Sequence, residues 1–451
     1  MNRSASLILV TMILQLAALP ASLSATDAAI PSAGPWKWDV TICDKPGWFT
    51  PWMTPPRLMG EEIILQCSSH PEDKYADDFY AEKTETVTLS SPDGGRSWRL
   101  TTAARYEQAA PTEPETNTKS SLGLQPAFSP EMDRRRREGL KQAGLEKLAD
   151  NAGWTIFPEP MSQELKSLGY DVFEQHPVIP KGQVAVYSKS PLGKWSDDGG
   201  KTWQPARIDC PTFAHGLVPN GRLRLGDGTL LWFGYGIPLR ETGRSNYVLR
   251  STDEGRTWTS IRIQSDPAWC LSEATPLVLP SGRVLVLMRC DAGEGAGHIY
   301  QTWSDDNGRT WQPAKRTPVW GYPLGAICLK SGNVLCTYAH RRFPGGIRAC
   351  LSRDGGASWD IQNEKILRDD VIPTTWIAPS GAHSVQLADG SIFTAFTLQK
   401  TVALKDGESA GGNVFHVTGQ DGNGRFHCYL AGCRYTEDYV RPLPNDSAKG
   451  K

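Results

Sequence analysis

Apolar residues in this chain come mostly in short runs, each broken by a polar turn that contains a glycine. Clear copies are LRLGDGTLLWF about Gly228, LVLPSGRVLVL about Gly282, ICLKSGNVLCT about Gly332 and VQLADGSIFTA about Gly390. Weaker copies are VIPKGQVAVY at Gly182 and RLMGEEIILQC at Gly60. Apolar runs of strand length around such turns predict β-hairpins. The clear copies recur about every 50 residues, the length of one four-stranded propeller blade. The six hairpins predict an all-β, six-bladed β-propeller of four-stranded antiparallel blades over residues 36–435, followed by a tail, 436–451. An apolar strand near Trp36–Ile42 is placed to complete the last blade.

A second phrase repeats in step with the hairpins. It reads SPDGGRSW from Ser91, SDDGGKTW from Ser196, STDEGRTW from Ser251, SDDNGRTW from Ser304 and SRDGGASW from Ser352. Its Asp can accept backbone N–H groups in a tight turn, its Gly supplies a positive φ, and its Trp packs on a neighbouring strand. These residues are expected to hold turns, not substrate. The sixth blade lacks a clear copy; QDGNGRF from Gln420 reads as a decayed one.

The pattern breaks at residues 101–165. Pro111–Ser121 is a polar loop, and Glu131–Leu148 has helical spacing. Arg134–Arg137 read as a solvated face or a basic patch. This partly helical insertion between the first and second blades is expected to cover one mouth as a lid.

Net charge is −1, so no bulk field favours nucleic acid or an anionic membrane. Arg3, the apolar run Leu7–Leu19 and small residues up to Ala25 read as a signal peptide, 1–25. That implies a secreted or periplasmic protein with no span in its mature form. Export permits disulfides among the ten Cys. Cys270 with Cys290 and Cys428 with Cys433 are possible pairs. No zinc-ligand spacing occurs and no cofactor motif is found, so neither a metal nor a cofactor is expected.

Charged residues at the strand ends are the candidates for chemistry. Glu273 opens one strand and Arg289 closes its hairpin partner, so both should emerge at the end away from the Gly282 turn. They form either an ion pair or a substrate clamp. Arg341, Arg342, Arg348 and His340 gather at the matching end of the next blade. Arg57 enters the first blade, with Asp77 and Asp78 in a loop after it. His215 and His383 precede two hairpins at similar places.

With its Asp turns, the chain resembles the sialidase (neuraminidase) superfamily of Asp-box, or BNR-repeat, six-bladed propellers. The resemblance implies an exo-acting glycoside hydrolase for a terminal carboxylated sugar, sialic acid or a related acidic sugar of glycans. It implies three Arg on the carboxylate: Arg57, Arg289 and one of Arg342, Arg341 or Arg348. It gives Asp78 or Asp77 the acid/base place and Glu273 the place of the carboxylate that activates a Tyr nucleophile. The nucleophilic Tyr would stand near Gly381, where none occurs. His383 beside it, or Tyr322 one blade earlier, are the substitutes. A His-based sugar-cleaving enzyme for uronides or rhamnosides, using His215 or His383, and a non-catalytic glycan-binding propeller are the other readings.

Overall fold

The computed structural model describes residues 34–44, 48–71, 85–109, 118–126, 128–150, 155–174, 179–263, 265–342, 344–371, 380–403 and 424–441. The apolar leader, Asp77, Asp78, the far tail and Gln420–Asn423 lie outside them. Most described residues belong to six antiparallel sheets that follow one another along the chain. The fourth sheet shows the plan: Leu271–Val278, Val284–Cys290, His298–Ser304 and Lys315–Trp320, hydrogen-bonded in that order. The fifth repeats it with Leu324–Cys328, Val334–His340, Gly345–Ser352 and Lys365–Val371.

The apolar runs are continuous because their strands are covered on both faces. Val284, Val286 and Met288 point into a cluster with the third sheet, which holds Leu231, Phe233 and Val248. Leu285 and Leu287, between them, point into a cluster with the fifth sheet, which holds Val334, Cys336 and Tyr338. The period of two thus persists under uniform hydrophobicity. Each such side chain contributes about 2 kcal/mol by leaving water. Similar clusters join the fifth sheet to the sixth and the sixth to the first.

The sixth sheet is completed from the other end of the chain. Lys37–Cys43 pairs antiparallel with Gly424–Tyr435, which pairs with Ile392–Ala403. The expected N-terminal strand is therefore there. It also explains why five Asp turns serve six sheets. Each turn joins the last two strands of its sheet along the chain, and in the sixth sheet the corresponding two strands are remote in sequence. QDGNGRF runs into the third strand of its sheet, so it does not occupy the place of an Asp turn.

In the turns, the Asp is spent on its own loop. Asp306 Oδ1 accepts from Ser304 Oγ (2.8 Å), Arg309 N (3.0 Å) and Thr310 N (2.9 Å), and Oδ2 accepts from Thr310 Oγ1 (2.6 Å). Trp359 donates to Gln301 Oε1 of the fourth sheet at 2.8 Å. Trp98 packs on Phe393 of the sixth. The turns hold sheets together, as their composition predicts.

The second sheet departs from the plan. Among the described residues it has three strands, Lys119–Pro126, Lys189–Ser196 and Gln204–Pro205. The Gly182 turn does not build its hairpin: Gln183–Val186 pairs instead with Thr155–Pro158 and Val172–Phe173 in a small separate sheet. The break opens after the first sheet, as expected, with a short helix, Ala103–Gln108, but the chain returns Lys119–Pro126 to the second sheet before the helix Pro130–Gln142. The insertion thus joins two paired strands of the second sheet. The helix Pro130–Gln142 starts at Ser129, whose Oγ accepts from Met132 N at 3.2 Å. Its four Arg form no open basic patch. Arg134 pairs with Glu131 and Glu138, Arg135 with Glu164, and both Arg136 and Arg137 with Asp133.

Neither expected disulfide forms. Cys270 and Cys290 are free thiols, and Cys290 Sγ turns to the Trp269 carbonyl. Cys428 and Cys433 lie five apart on one continuous strand, so they project to opposite faces.

Candidate active site

Connections between second and third strands gather at the end of the sheets away from the Asp turns, and Glu273 and Arg289 lie there. Ser272 faces Arg289 across the first two strands of the fourth sheet. Arg289 Nη1 donates to both carboxylate oxygens of Glu273 at 3.1 Å. Its Nε lies 2.5 Å from Asp291 Oδ1. Asp291 also accepts from Arg244 Nη1 (2.9 Å) and Ser272 Oγ (2.6 Å). Burial lowers the Arg289 pKa, but the charges of Glu273 and Asp291 outweigh it and raise the pKa overall.

Tyr322 brings a second cation to this cluster. The Arg289 guanidinium lies 4.2 Å from its ring centroid and that of Arg341 lies 5.4 Å away. Burial first, and the Arg289 charge next, bring Arg341 down to about 10. Two guanidinium groups thus share one aromatic ring. Arg342 turns away from this ring and stacks on Trp320 at 3.7 Å. From the third sheet comes Tyr235, which stands as far past Leu230 as Arg289 stands past Val284. Burial and then the Glu273 charge hold its hydroxyl well above the ordinary tyrosine range.

The backbone at Glu273 is left-handed, φ 33°. It sits in a bulge: Ser272 faces Arg289, yet Thr275 faces Leu287. The sixth sheet has the same bulge, with Ser380 facing Thr397 and His383 facing Ala395. There the equivalent residue is Gly381, φ 62°. A side chain in this conformation costs about 1–2 kcal/mol. Glu273 is held there by the two bonds to Arg289.

The remaining sequence candidates are dispersed. Arg57 does not join the cluster. It lies beside the Gly60 turn, at the opposite end of its sheet, and donates to the Tyr106 carbonyl (2.8 Å) while stacking on that ring (3.9 Å). Arg348 is bonded to Glu364, which also accepts from Tyr338. His383 lines a central cavity of about 250 Å³ with Pro55, Gly221, Thr275 and Gly325, which come from four other sheets. Burial brings its imidazole down to about 4. His215 is not its equivalent. It faces Ile237, further toward the strand end, and its Nδ1 lies 3.3 Å from Asp171 of the insertion. Asp78 and Asp77 lie outside the described residues.

Asp291, Arg244, Tyr235 and Asp171 were missed in the sequence. Asp291 directly follows the Arg289-Cys290 pair and had a local signal. Tyr235 is found by aligning the hairpins. Asp171 has none, because it arrives from the insertion.

The profile of the BNR repeat-like domain matches residues 177–371. No curated protein matches the chain. A protein of unknown function from Dyadobacter fermentans has a similar structure, at 19% identity and TM-score 0.52, over 89% of this chain and 99% of that one. The NanB sialidase of Streptococcus pneumoniae (K499G mutant) is similar at 14% identity and TM-score 0.46, over 90% and 71%. The α-L-arabinanase of Penicillium chrysogenum is similar at 12% identity and TM-score 0.43, over 88% and 98%. The family match spans the region that holds four of the five Asp turns, and the likeness to the Dyadobacter protein is one of fold.

Proposed function

We propose that this protein is an exo-acting glycoside hydrolase that removes a terminal carboxylated sugar, sialic acid or a related acidic sugar, from glycans. The observation that carries the reading is the pair Arg289 and Arg341 about Tyr322, beside a Glu273 held in a strained conformation. Guanidinium groups suit a planar carboxylate, which they meet by parallel N–H bonds. Strain in a non-glycine residue marks functional positions.

In this reading Arg289 and Arg341 take the sugar carboxylate, and Arg342 with Trp320 borders the next sugar. Glu273 polarises the attacking group. Tyr322, against Arg289, and Tyr235, whose hydroxyl feels the Glu273 charge, are the tyrosines of the cluster. The leader Met1–Ala25 directs export and is removed, which N-terminal sequencing of the protein from its producing cells tests.

Release of a fluorescent aglycone from sialosides and uronides, against neutral hexosides, tests the activity. Turnover confined to the acidic glycosides supports it. Binding of acidic glycans without turnover would instead make the protein a glycan-binding propeller.

A further inference from the structure

We infer that His215 is the general acid/base of this site and that Asp171, supplied by the insertion, is the residue that positions it. The inference rests on the glycosidase reading above.

His215 Nδ1 lies 3.3 Å from Asp171 Oδ2. That nitrogen has almost no accessible surface, so the 17% exposure of the side chain lies on the rest of the ring. Phe173, also from the insertion, and Tyr187 flank the ring at 5.9 and 5.4 Å. The Tyr187 carbonyl accepts from the backbone of Gly216. The ring is therefore held in place by neighbours from two segments. Nδ1 makes no hydrogen bond as it stands; closing the 3.3 Å gap to the Asp171 carboxylate would fix the tautomer and leave Nε2 to exchange protons.

The pair stands at the same end of the sheets as Arg289. His215 faces Ile237, two residues past Tyr235 on one strand. The Arg244 guanidinium lies 5.7 Å from the Tyr235 ring, and Arg244 binds Asp291. Contacts thus run from Tyr235 to Arg289, and His215 lies further along the same end of the third sheet.

Two carboxylates of that rim are held by cations. Both Glu273 oxygens accept from Arg289, and Asp291 is shared among Arg289, Arg244 and Ser272. Among the described histidines, His383 is enclosed in the central cavity. His340 Nδ1 lies 3.2 Å from the Pro344 carbonyl, and burial holds its pKa down. Burial does the same for His298. Of the four histidines whose side chains are described, His215 is the one with a carboxylate within 4 Å of its ring.

In the step, the glycosidic C–O bond breaks and its electron pair goes to the leaving oxygen, which takes the proton from His215 Nε2. Water then adds to the sugar carbon and returns a proton to Nε2. The sum is one water consumed and two hydroxyl products, with His215 unchanged.

Leaving groups of different acidity test this role. A para-nitrophenolate leaves without protonation; a methoxide does not. The assay compares para-nitrophenyl and methyl glycosides of N-acetylneuraminic acid and of glucuronic acid. His215→Gln should lower kcat/KM about 100-fold or more on the methyl glycoside and less than about tenfold on the nitrophenyl one. Asp171→Asn should show the same pattern more weakly. Asp171 is 48% exposed, so this variant keeps the fold if His215→Gln does not. Added imidazole should restore activity to His215→Ala. Equal losses on both glycosides, or no rescue, would overturn the assignment while the glycosidase reading stands. A wild-type protein inactive on every acidic glycoside would overturn both.

Discussion

Glu273 occupies, in the fourth sheet, the bulge position that Gly381 occupies in the sixth, and both backbones are left-handed. One sheet accepts strain where the other avoids it. The difference is the guanidinium of Arg289, which bonds both Glu273 oxygens. Glu273→Ala and Glu273→Gly both remove that pair, so it cancels when they are compared. The glycine variant should be the more stable by about 1 kcal/mol, measured by urea denaturation. Equal stability would show that the conformation is unstrained. Both variants should lose turnover.

Arg289 bridges two carboxylates with a planar fork. Lysine carries the same charge but cannot span Glu273 and Asp291 together. Arg289→Lys should lower kcat/KM for an acidic glycoside by about thirtyfold, the equivalent of about 2 kcal/mol. A variant with wild-type kinetics would mean that the cluster is only structural.

His383 gives a stability signature. Its folded pKa, about 4, lies below the ordinary histidine value of 6.5 because the ring is buried. As pH falls below 6.5 the unfolded chain takes the proton first. Stability is therefore complete above that pH and declines toward pH 4. The wild type should lose about 3 kcal/mol across this window from this group, and His383→Gln should lose correspondingly less. Denaturation midpoints at intervals between pH 7 and 4 provide the comparison; parallel curves would contradict it.

The Asp turns behave in the opposite acid range. Burial raises the Asp306 pKa, but the hydrogen bonds from Thr310, Ser304 and Arg309 outweigh it and bring it down to about 2. A depressed carboxylate pKa gives stability that is present above about pH 4 and is lost as pH falls toward 2. Asp306→Ala should cost about 1–2 kcal/mol at pH 7. Its deficit against the wild type should shrink as pH falls from 4 to 2. A constant deficit would show that the turn does not depend on the charged form.

The fold was legible because propeller blades repeat their local chemistry. Glycine turns and Asp turns each report a strand pair directly, and Glu273 with Arg289 followed from their distances to one turn. The site was less legible because it depends on contacts between sheets. Arg348 resembled a clamp residue until Glu364, from the neighbouring strand, took it. Arg57 had the right type but lay at the wrong end of its sheet. Arg341 and Arg342 are adjacent in sequence, and only the packing shows that Arg341 reaches Tyr322 while Arg342 takes Trp320. The Gly182 turn misled because the insertion has a sheet of its own. Asp171 lies far in sequence from His215 and gave no signal at all.

The central claim is that the Arg289–Arg341 end of the sheets receives a carboxylated sugar. Calorimetric titration with N-acetylneuraminic acid and with glucuronic acid, each beside its methyl ester, tests it most directly. The account predicts that at least one acid binds, that its ester binds about tenfold or more weakly, and that Arg289→Lys removes most of that preference. Equal affinity for acid and ester in the wild type, or a preference unchanged in Arg289→Lys, would contradict it.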